Sequence, residues 1–523
     1  MKKLTRKEIV RELEKPNGSA ELAADERIDR IALADEAAAM FIEEGIGSAL
    51  LVRLAKSRAL LLRMSGNPAL MEKIRSAVSD ESPKIRRNSA RLLGSLSRDA
   101  KDARLLIDRL SAEETRFVRP SLLLALGSVG GEEAEAVLDA YTPAAPADET
   151  EKKHYEEECE ALKLARAAVM KHEKHSFTGL DREYEIELAA PDRLTAQLES
   201  ELRQLGLEPY DIRRSSLKVK TKDYPALFAA RCFHEALFPI ASVNEPTAEN
   251  IAAAAKPFMT AFMPAVHAGE PPFRYRIEIE GELPGERTAF KKTLRDLLDD
   301  GMLVNAPSDY ELELRICAAP GGTRLYLKLL TVKDDRFLYR KETIPASMNP
   351  ATAATVLRFA GDHLKVNARV IDPCCGSGTL LFERGLLSPC DSLTGVDIAH
   401  KAIDAARTNA EAAVRHYGMR QAKFICNDIL RFEVKRPYDE LICNLPFGNR
   451  VGSHSSCEKL YAGLLDKLPT LVKKGGIALL YTMEFTLLKK LIRERPGLEI
   501  LSQGRTEAGG LTPMIFMIRV GKA

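Results

Sequence analysis

Four strand-like segments in the last third of the chain end in polar residues. ARVID closes on Asp372, SLTGV runs into Asp397, AKFIC into Asn427-Asp428, and YDELIC into Asn444-Leu445-Pro446-Phe447. The first is followed by a Gly-rich turn, Pro-Cys-Cys-Gly-Ser-Gly-Thr (373–379), and an apolar helix over 380–387. Gly376 and Gly378 let backbone approach a ligand. Ser377 and Thr379 bring hydroxyls to a helix N-terminus. Leu381 stands where a dinucleotide fingerprint would place its third glycine. Asp372 beside the turn repels a pyrophosphate and suits a cation instead.

A cationic nucleotide-like ligand is S-adenosylmethionine, with its ammonium and sulfonium. An acid at 397 accepts bonds from ribose hydroxyls, and an acid at 428 can receive an adenine amino group. The Asn-Leu-Pro-Phe segment fits the other half of such a reaction. An amino nitrogen conjugated to a ring has a delocalised lone pair. The Asn444 side-chain oxygen and a nearby backbone carbonyl can accept its two N–H groups and turn that lone pair toward the methyl. Pro446 fixes its own φ and offers no competing donor. Phe447 gives a face for the base to stack on. Catalysis of this kind is positioning, so no nucleophile is required, and Cys374, Cys375 and Cys443 read as small packing residues.

DPCCGSGTLLFE (372–383) together with NLPFGNRVGSH (444–454) resembles the THUMP-containing guanine-N2 methyltransferases of tRNA. The wider amino-methyltransferase family more often carries Asn-Pro-Pro-Tyr, and Leu445 and Phe447 depart from that form. The resemblance implies that Asn444, Leu445, Pro446 and Phe447 hold the target guanine. It implies that Asp372, Cys374, Gly376, Ser377, Gly378, Thr379, Asp397, Ile398, Asn427, Asp428 and Asn444 line the cofactor. Arg450 and the turn 452–454 would lie near the RNA entrance, Glu383 could reach the methionine amine, and PASMNPATAATVL (345–357) would cover the cofactor. The target base must leave its stack for N2 to be reached. Ribosomal RNA, DNA adenine and a protein glutamine are rival acceptors for the same geometry, and a non-catalytic RNA-binding protein with a degenerate domain is a further reading.

The elements that must position these residues form a Rossmann-like class I methyltransferase domain over 345–523 with a seven-stranded sheet. Its remaining elements are a helix at 457–473, a strand at 476–482, and an antiparallel pair near 497–502 and 513–520. The middle third, 173–344, reads as α+β. Strands at 183–188, 215–220, 273–280, 310–316, 323–330 and 336–340 alternate with helices at 192–206 and 286–299. This layout resembles a ferredoxin-like subdomain with a THUMP domain, an RNA-binding module. The phosphate-contact candidates are Arg213, Arg214, Lys218 and Lys220.

In the first third, SPKIRRNSARLLGSL (82–96) and TRFVRPSLLLALGSV (115–129) align at an offset of 33 residues, with Arg86 on Arg119 and Gly94 on Gly127. A repeated helix pair marks an α-solenoid, and the pattern resembles HEAT repeats. Residues 1–172 are therefore expected to be a helical repeat region, with degenerate units in 20–75 and a capping helix at 151–171. It would be a docking surface for RNA or a protein partner.

Composition bounds the rest. The chain has 523 residues, 45% hydrophobic and 29% charged, with a net charge of +2, which excludes a polybasic coat or an acidic tail. The basic surplus lies in 351–523, where 24 basic residues face 17 acidic ones, +7. Nine scattered Cys without C-x-x-C argue against a disulfide framework or a zinc site. No apolar run reaches a membrane span and the N-terminus has no signal-peptide core, so a cytoplasmic enzyme is expected.

Overall fold

The computed structural model describes residues 5–13, 33, 35–36, 39, 67–146, 148–169, 175–283, 285–306, 309–319, 321–345, 347–446, 454–507 and 510–521. They divide into two compact units. Residues up to 174, with 272–276 and 299–310, form one; residues 175–271, 277–298 and 311–523 form the other.

The first unit is mainly helical. After α1 (Arg6–Leu13) come α2 (Pro68–Ala77), α3 (Pro83–Leu96), α4 (Ala100–Ala112), α5 (Arg119–Val129), α6 (Glu132–Ala140) and α7 (Glu149–Val169). The 33-residue offset has a structural counterpart. A methyl on Gly94 would sit 2.6 Å from the Ala125 Cα, and one on Gly127 would sit 2.7 Å from the Ala165 Cα. Thus α3 meets α5, and α5 meets α7, backbone against backbone. The helix expected as a cap, α7, is the next member of this layer. Arg86, aligned with Arg119, makes a bidentate pair with the fully buried Glu113, at 2.7 and 2.8 Å. The degenerate units expected in 20–75 fall mostly outside the described residues. A short parallel pairing, Phe273–Tyr275 with Leu303–Asn305, also belongs to this unit.

The second unit holds two sheets. The first contains β1 (Tyr184–Ala189), β2 (Ser216–Thr221), β3 (Glu235–Val243), β4 (Phe273–Glu280, of which 277–280 belong to this unit), β5 (Leu312–Ala319) and β6 (Gly322–Leu329), ordered β2-β1-β3-β6-β5-β4. Helices α8 (Thr195–Gln204), α9 (Ala248–Val266) and α10 (Arg287–Leu298) accompany it. The two expected strand–helix–strand units are therefore merged into one sheet, joined where β3 pairs with β6 at Phe238↔Leu327. The strand expected at 336–340 is absent. Arg340 N–H bonds the Phe337 carbonyl and Lys341 N–H bonds the Tyr339 carbonyl, which curls the segment into turns.

The second sheet contains β7 (Ala368–Asp372), β8 (Cys390–Asp397), β9 (Lys423–Cys426), β10 (Tyr438–Asn444), β11 (Val472–Thr482), β12 (Leu498–Arg505) and β13 (Met514–Val520). Its order is β9-β8-β7-β10-β11-β13-β12, with β13 antiparallel to both neighbours. Helices α11 (Pro350–Phe359), α12 (Thr379–Leu387), α13 (His400–Tyr417), α14 (His454–Leu471) and α15 (Phe485–Arg493) complete the domain. Its central strands are apolar in succession (Val370-Ile371, Leu441-Ile442-Cys443, Ala478-Leu479-Leu480) and all of these residues are buried. That is the pattern of strands covered on both faces. The direction of growth reverses between β7 and β10, and sheets of this class take their ligands in the crevice outside the C-terminal strand ends at such a point.

The boundary expected at 344 does not separate compact units. Arg231, from the segment before β3, donates to both carboxylate oxygens of Glu383 on α12, at 2.7 and 2.9 Å. Arg358 on α11 bonds Glu201 on α8 at 2.8 Å. Both carboxylates are buried and both arginines partly so, and the two pairs link elements of the two sheets.

Candidate active site

Asp372 and Asn444 end the two strands that flank the reversal point. The turn between β7 and α12 is built for close approach. Gly376 and Gly378 have φ of +53° and +86°. At 378 a methyl would also strike the Phe382 ring at 2.7 Å. The turn is pinned to the next strand: Cys375 N–H donates to the Val396 carbonyl at 3.0 Å, and Gly376 N–H to Asp397 Oδ2 at 2.9 Å. Asp397 Oδ1 accepts Ala399 N–H at 2.9 Å. The acid expected to meet ribose thus also shapes the turn.

Asp372 is only 1% exposed. Burial pushes its carboxyl up to about 8, against the opposing pull of the Cys374 N–H bond at 3.1 Å; the Asp397 charge adds to the rise. Two neighbouring carboxylates with few donors favour a cationic occupant. Next to Asp397, Ile398 stands 73% exposed, an apolar surface beside the turn. Asn427 is exposed and its N–H bonds the Asp397 carbonyl; Asp428 Oδ1 accepts Leu430 N–H at 2.9 Å.

Of the buried side-chain oxygens without a hydrogen-bond partner among the described residues, two lie at these termini: Thr379 Oγ1, at the start of α12, and Asn444 Oδ1, at the end of β10. A buried acceptor left unmet costs free energy, and these two sit where a ligand's donors would arrive. Leu445 is buried and its N–H bonds the Tyr481 carbonyl at 2.9 Å. The Pro446 carbonyl accepts the Tyr461 hydroxyl at 3.0 Å and the Cys457 thiol at 3.5 Å. No donor among the described residues reaches the Leu445 carbonyl. Phe447 and Arg450 lie outside the described residues, as does most of the turn 452–454.

Other expected residues are engaged elsewhere. The Ser377 hydroxyl faces Ser347 Oγ at 2.8 Å and is 2% exposed. Cys374 is half-buried beside the turn. Glu383 does not face the crevice as a free acid: besides Arg231 it accepts the Tyr339 hydroxyl at 2.6 Å, and its side chain is fully buried. Of the candidate phosphate contacts, Arg213 is paired with Asp211 (2.7 Å), Arg214 with Asp192 (2.6 Å) and Lys218 with Glu185 (2.6 Å). Lys220 lies over the Tyr210 ring at 5.8 Å.

Sequence reasoning missed Asn409. Its Oδ1 accepts Lys341 and Glu342 N–H at 2.9 and 2.8 Å, and its Nδ2 donates to the Ser377 carbonyl at 3.0 Å. It clamps the incoming chain onto the cofactor turn. The signal was an Asn on the Ala-rich buried stripe of α13, among Ala402, Ala406, Ala410 and Ala413. Tyr461 and Thr482 were likewise passed over.

A family profile described as UPF0020, RMKL-like, methyltransferase domain, matches residues 338–512. A tRNA (guanine(10)-N2)-dimethyltransferase of Methanothermobacter thermautotrophicus is 29% identical over 154 residues, 29% of this chain and 43% of that protein. A tRNA (guanine(6)-N2)-methyltransferase of Thermus thermophilus is 29% identical over 182 residues, 34% of this chain and 52% of that protein. The chain spans about half the length of these curated relatives. Among solved structures, SMU.472 in complex with SAH has a TM-score of 0.51 at 14% identity, covering 66% of this chain and 100% of that one. TrmN from Thermus thermophilus has a TM-score of 0.50 at 21% identity, covering 64% of this chain and 99% of that one. These likenesses establish the fold, a Rossmann-like methyltransferase with a seven-stranded mixed sheet.

Proposed function

We propose that the chain is an S-adenosylmethionine-dependent RNA methyltransferase whose acceptor is the exocyclic N2 of a guanosine in tRNA. The observation that carries this reading is the unmet acceptor Asn444 Oδ1, held at the end of β10 next to the Leu445 carbonyl. Those two oxygens receive the two N–H groups of the target amine. The Pro446 carbonyl is already occupied by Tyr461, so it is not the second acceptor. Asp372 receives the cofactor's ammonium, Asp397 its ribose hydroxyls, Asp428 its adenine amine, and Ile398 packs on the adenine face. Bound S-adenosylmethionine supplies an activated methyl on sulfur. The residues described here hold the amine so that its lone pair points at that carbon.

The guanine-N2 specificity of the named relatives supports the choice of base. The solved relatives cover about two thirds of this chain, more than 345–523 alone provides, which supports reading the first sheet as a THUMP-type RNA module. Within it Lys220 is the better phosphate candidate, because Arg213, Arg214 and Lys218 must first give up a carboxylate. The repeated close approaches at Gly94 and Gly127 support a HEAT-like stack in the helical unit. A cytoplasmic location goes with this function.

The test is methyl transfer from radiolabelled S-adenosylmethionine to total unmodified tRNA, with Asn444→Ala in parallel, followed by nucleoside analysis. Labelled N2-methylguanosine that disappears in the variant is expected. Label found only in ribosomal RNA or in protein overturns the tRNA assignment; cofactor binding without any transfer overturns the reaction.

A further inference from the structure

Behind the Asn444–Pro446 segment lies a buried run of hydroxyls that cofactor and base do not need to touch. Tyr461, on α14, is 0% exposed, and Thr482, the last residue of β11, is 0% exposed. Tyr461 Oη lies 3.0 Å from the Pro446 carbonyl oxygen and 2.6 Å from Thr482 Oγ1. Thr482 Oγ1 accepts Glu484 N–H at 2.9 Å.

The proton order in this run follows from its two ends. A carbonyl only accepts, so the single Tyr461 proton goes to Pro446. The Tyr461 oxygen must then accept, and its donor is the Thr482 hydroxyl. Glu484 N–H only donates, and it fills a Thr482 lone pair. The run therefore points one way: Glu484 N–H to Thr482 O–H to Tyr461 O–H to the Pro446 carbonyl. Chains of this kind polarise and strengthen one another in a dry interior. Burial raises the Tyr461 phenol far above its ordinary value, so it remains a donor through the whole working pH range.

We infer that Tyr461 and Thr482 are positioning residues for methyl transfer: their one-way hydrogen-bond chain engages the Pro446 carbonyl and so leaves the Leu445 carbonyl and Asn444 Oδ1 as the acceptors for the target amine. The inference rests on the function proposed above. Three contacts converge on the segment. β11 supplies one, the Tyr481 carbonyl that takes Leu445 N–H. α14 supplies two, Tyr461 and Cys457 on the Pro446 carbonyl, and Thr482 of β11 backs Tyr461. Without the chain, the Pro446 carbonyl is a buried acceptor with only a weak thiol donor, and it competes with Leu445 for the amine.

The test compares full-length wild type with Tyr461→Phe, Thr482→Val and Thr482→Ser. In Tyr461→Phe, kcat is expected to fall about tenfold, the scale of one lost buried hydrogen bond. KM for S-adenosylmethionine and the melting temperature should stay close to wild type. Thr482→Val should fall less, Thr482→Ser should recover most of the rate, and the double variant Tyr461→Phe/Thr482→Val should be no worse than Tyr461→Phe alone. An unchanged kcat in Tyr461→Phe, or losses in kcat and cofactor affinity that move together, overturns the inference.

A readout independent of acceptor separates this from a failure of the proposed reaction. The sequence has three Pro-Phe peptide bonds, at 257–258, 272–273 and 446–447. Protein carrying 13C-carbonyl proline and 15N-phenylalanine gives one carbonyl–amide correlation for each. Tyr461→Phe should move the 446–447 signal alone, assigned by its loss in Pro446→Ala. If it does not move, the chain does not act on Pro446, whatever the substrate proves to be.

Discussion

The crevice at the ends of β7, β8 and β10 and the charged face of the first sheet lie in one compact unit and handle polar groups in opposite ways. In the crevice, polar groups are left wanting. Asp372 is buried with few donors, and Asn444 Oδ1 and Thr379 Oγ1 have none among the described residues. On the first sheet the charges are matched to each other. Glu235 takes Arg315 and Lys328, Glu185 takes Lys218 and Tyr210, and Glu187 takes Ser216 and Tyr326. A buried polar atom without a partner calls for an explanation, and at these strand and helix ends an incoming ligand supplies one. The contrast separates a site that binds by completing its hydrogen bonds from a surface that is already complete.

The sharpest way to break this contrast is at Asn444. Asn444→Ala should lower methyl transfer by about 10²- to 10³-fold, as removal of a preorganised polar group does. Cofactor affinity, measured by calorimetry, should change far less. If both fall equally, the unmet oxygen serves the cofactor and not the acceptor.

Asp372 comes next. Its carboxyl is raised to about 8, so its charged fraction grows as pH rises through that value. Affinity for the cationic cofactor should climb between about pH 6.5 and 9 and be flat and weaker in Asp372→Asn. Stability has the opposite sign. A raised carboxyl contributes fully below its unfolded value of about 3.9 and loses that contribution as pH rises toward 8. Without cofactor, wild-type melting temperature should therefore fall across that window relative to Asp372→Asn. Binding at neutral pH should also release protons, seen as a buffer-dependent binding enthalpy.

The smallest effects belong to the first sheet. Arg214→Ala breaks an exposed pair with Asp192 and should leave the melting temperature close to wild type. It should change RNA affinity about twofold. Lys220→Ala should lower the salt dependence of RNA binding by about one phosphate contact. If Arg213→Ala, Arg214→Ala and Lys218→Ala each do the same, the face is not complete but exchanges carboxylates for phosphates on binding, and the contrast fails.

The strand ends and the Gly-rich turn were legible because they are short local patterns. A strand ending in Asp, a Gly-rich turn and a strand ending in Asn-Leu-Pro each sit within a few residues, and β7, β8 and β10 fall close to the expected ranges. Local pattern could not supply partners distant in sequence. Glu383 looks like a free acid in LLFERG, but Arg231 lies 152 residues before it. Arg213, Arg214 and Lys218 look like a basic patch until Asp211, Asp192 and Glu185 are folded beside them. Helix α9 was missed because Pro257 and Pro264 interrupt it, although Ile251, Ala255, Met259, Phe262 and Val266 line one buried stripe. RFLYR alternates like a strand, but Tyr339 and Phe337 are spent packing against the core of the second sheet.

The Arg231–Glu383–Tyr339 cluster has a practical consequence for anyone who would transplant the catalytic part. A fragment beginning at 345 would remove both partners of Glu383 in one cut, as well as the Glu201 partner of Arg358. It would leave a carboxylate stranded on the very helix that begins at the cofactor turn. What reads as a self-sufficient module in the linear text is, in physical terms, a half-building whose party wall belongs to its neighbour.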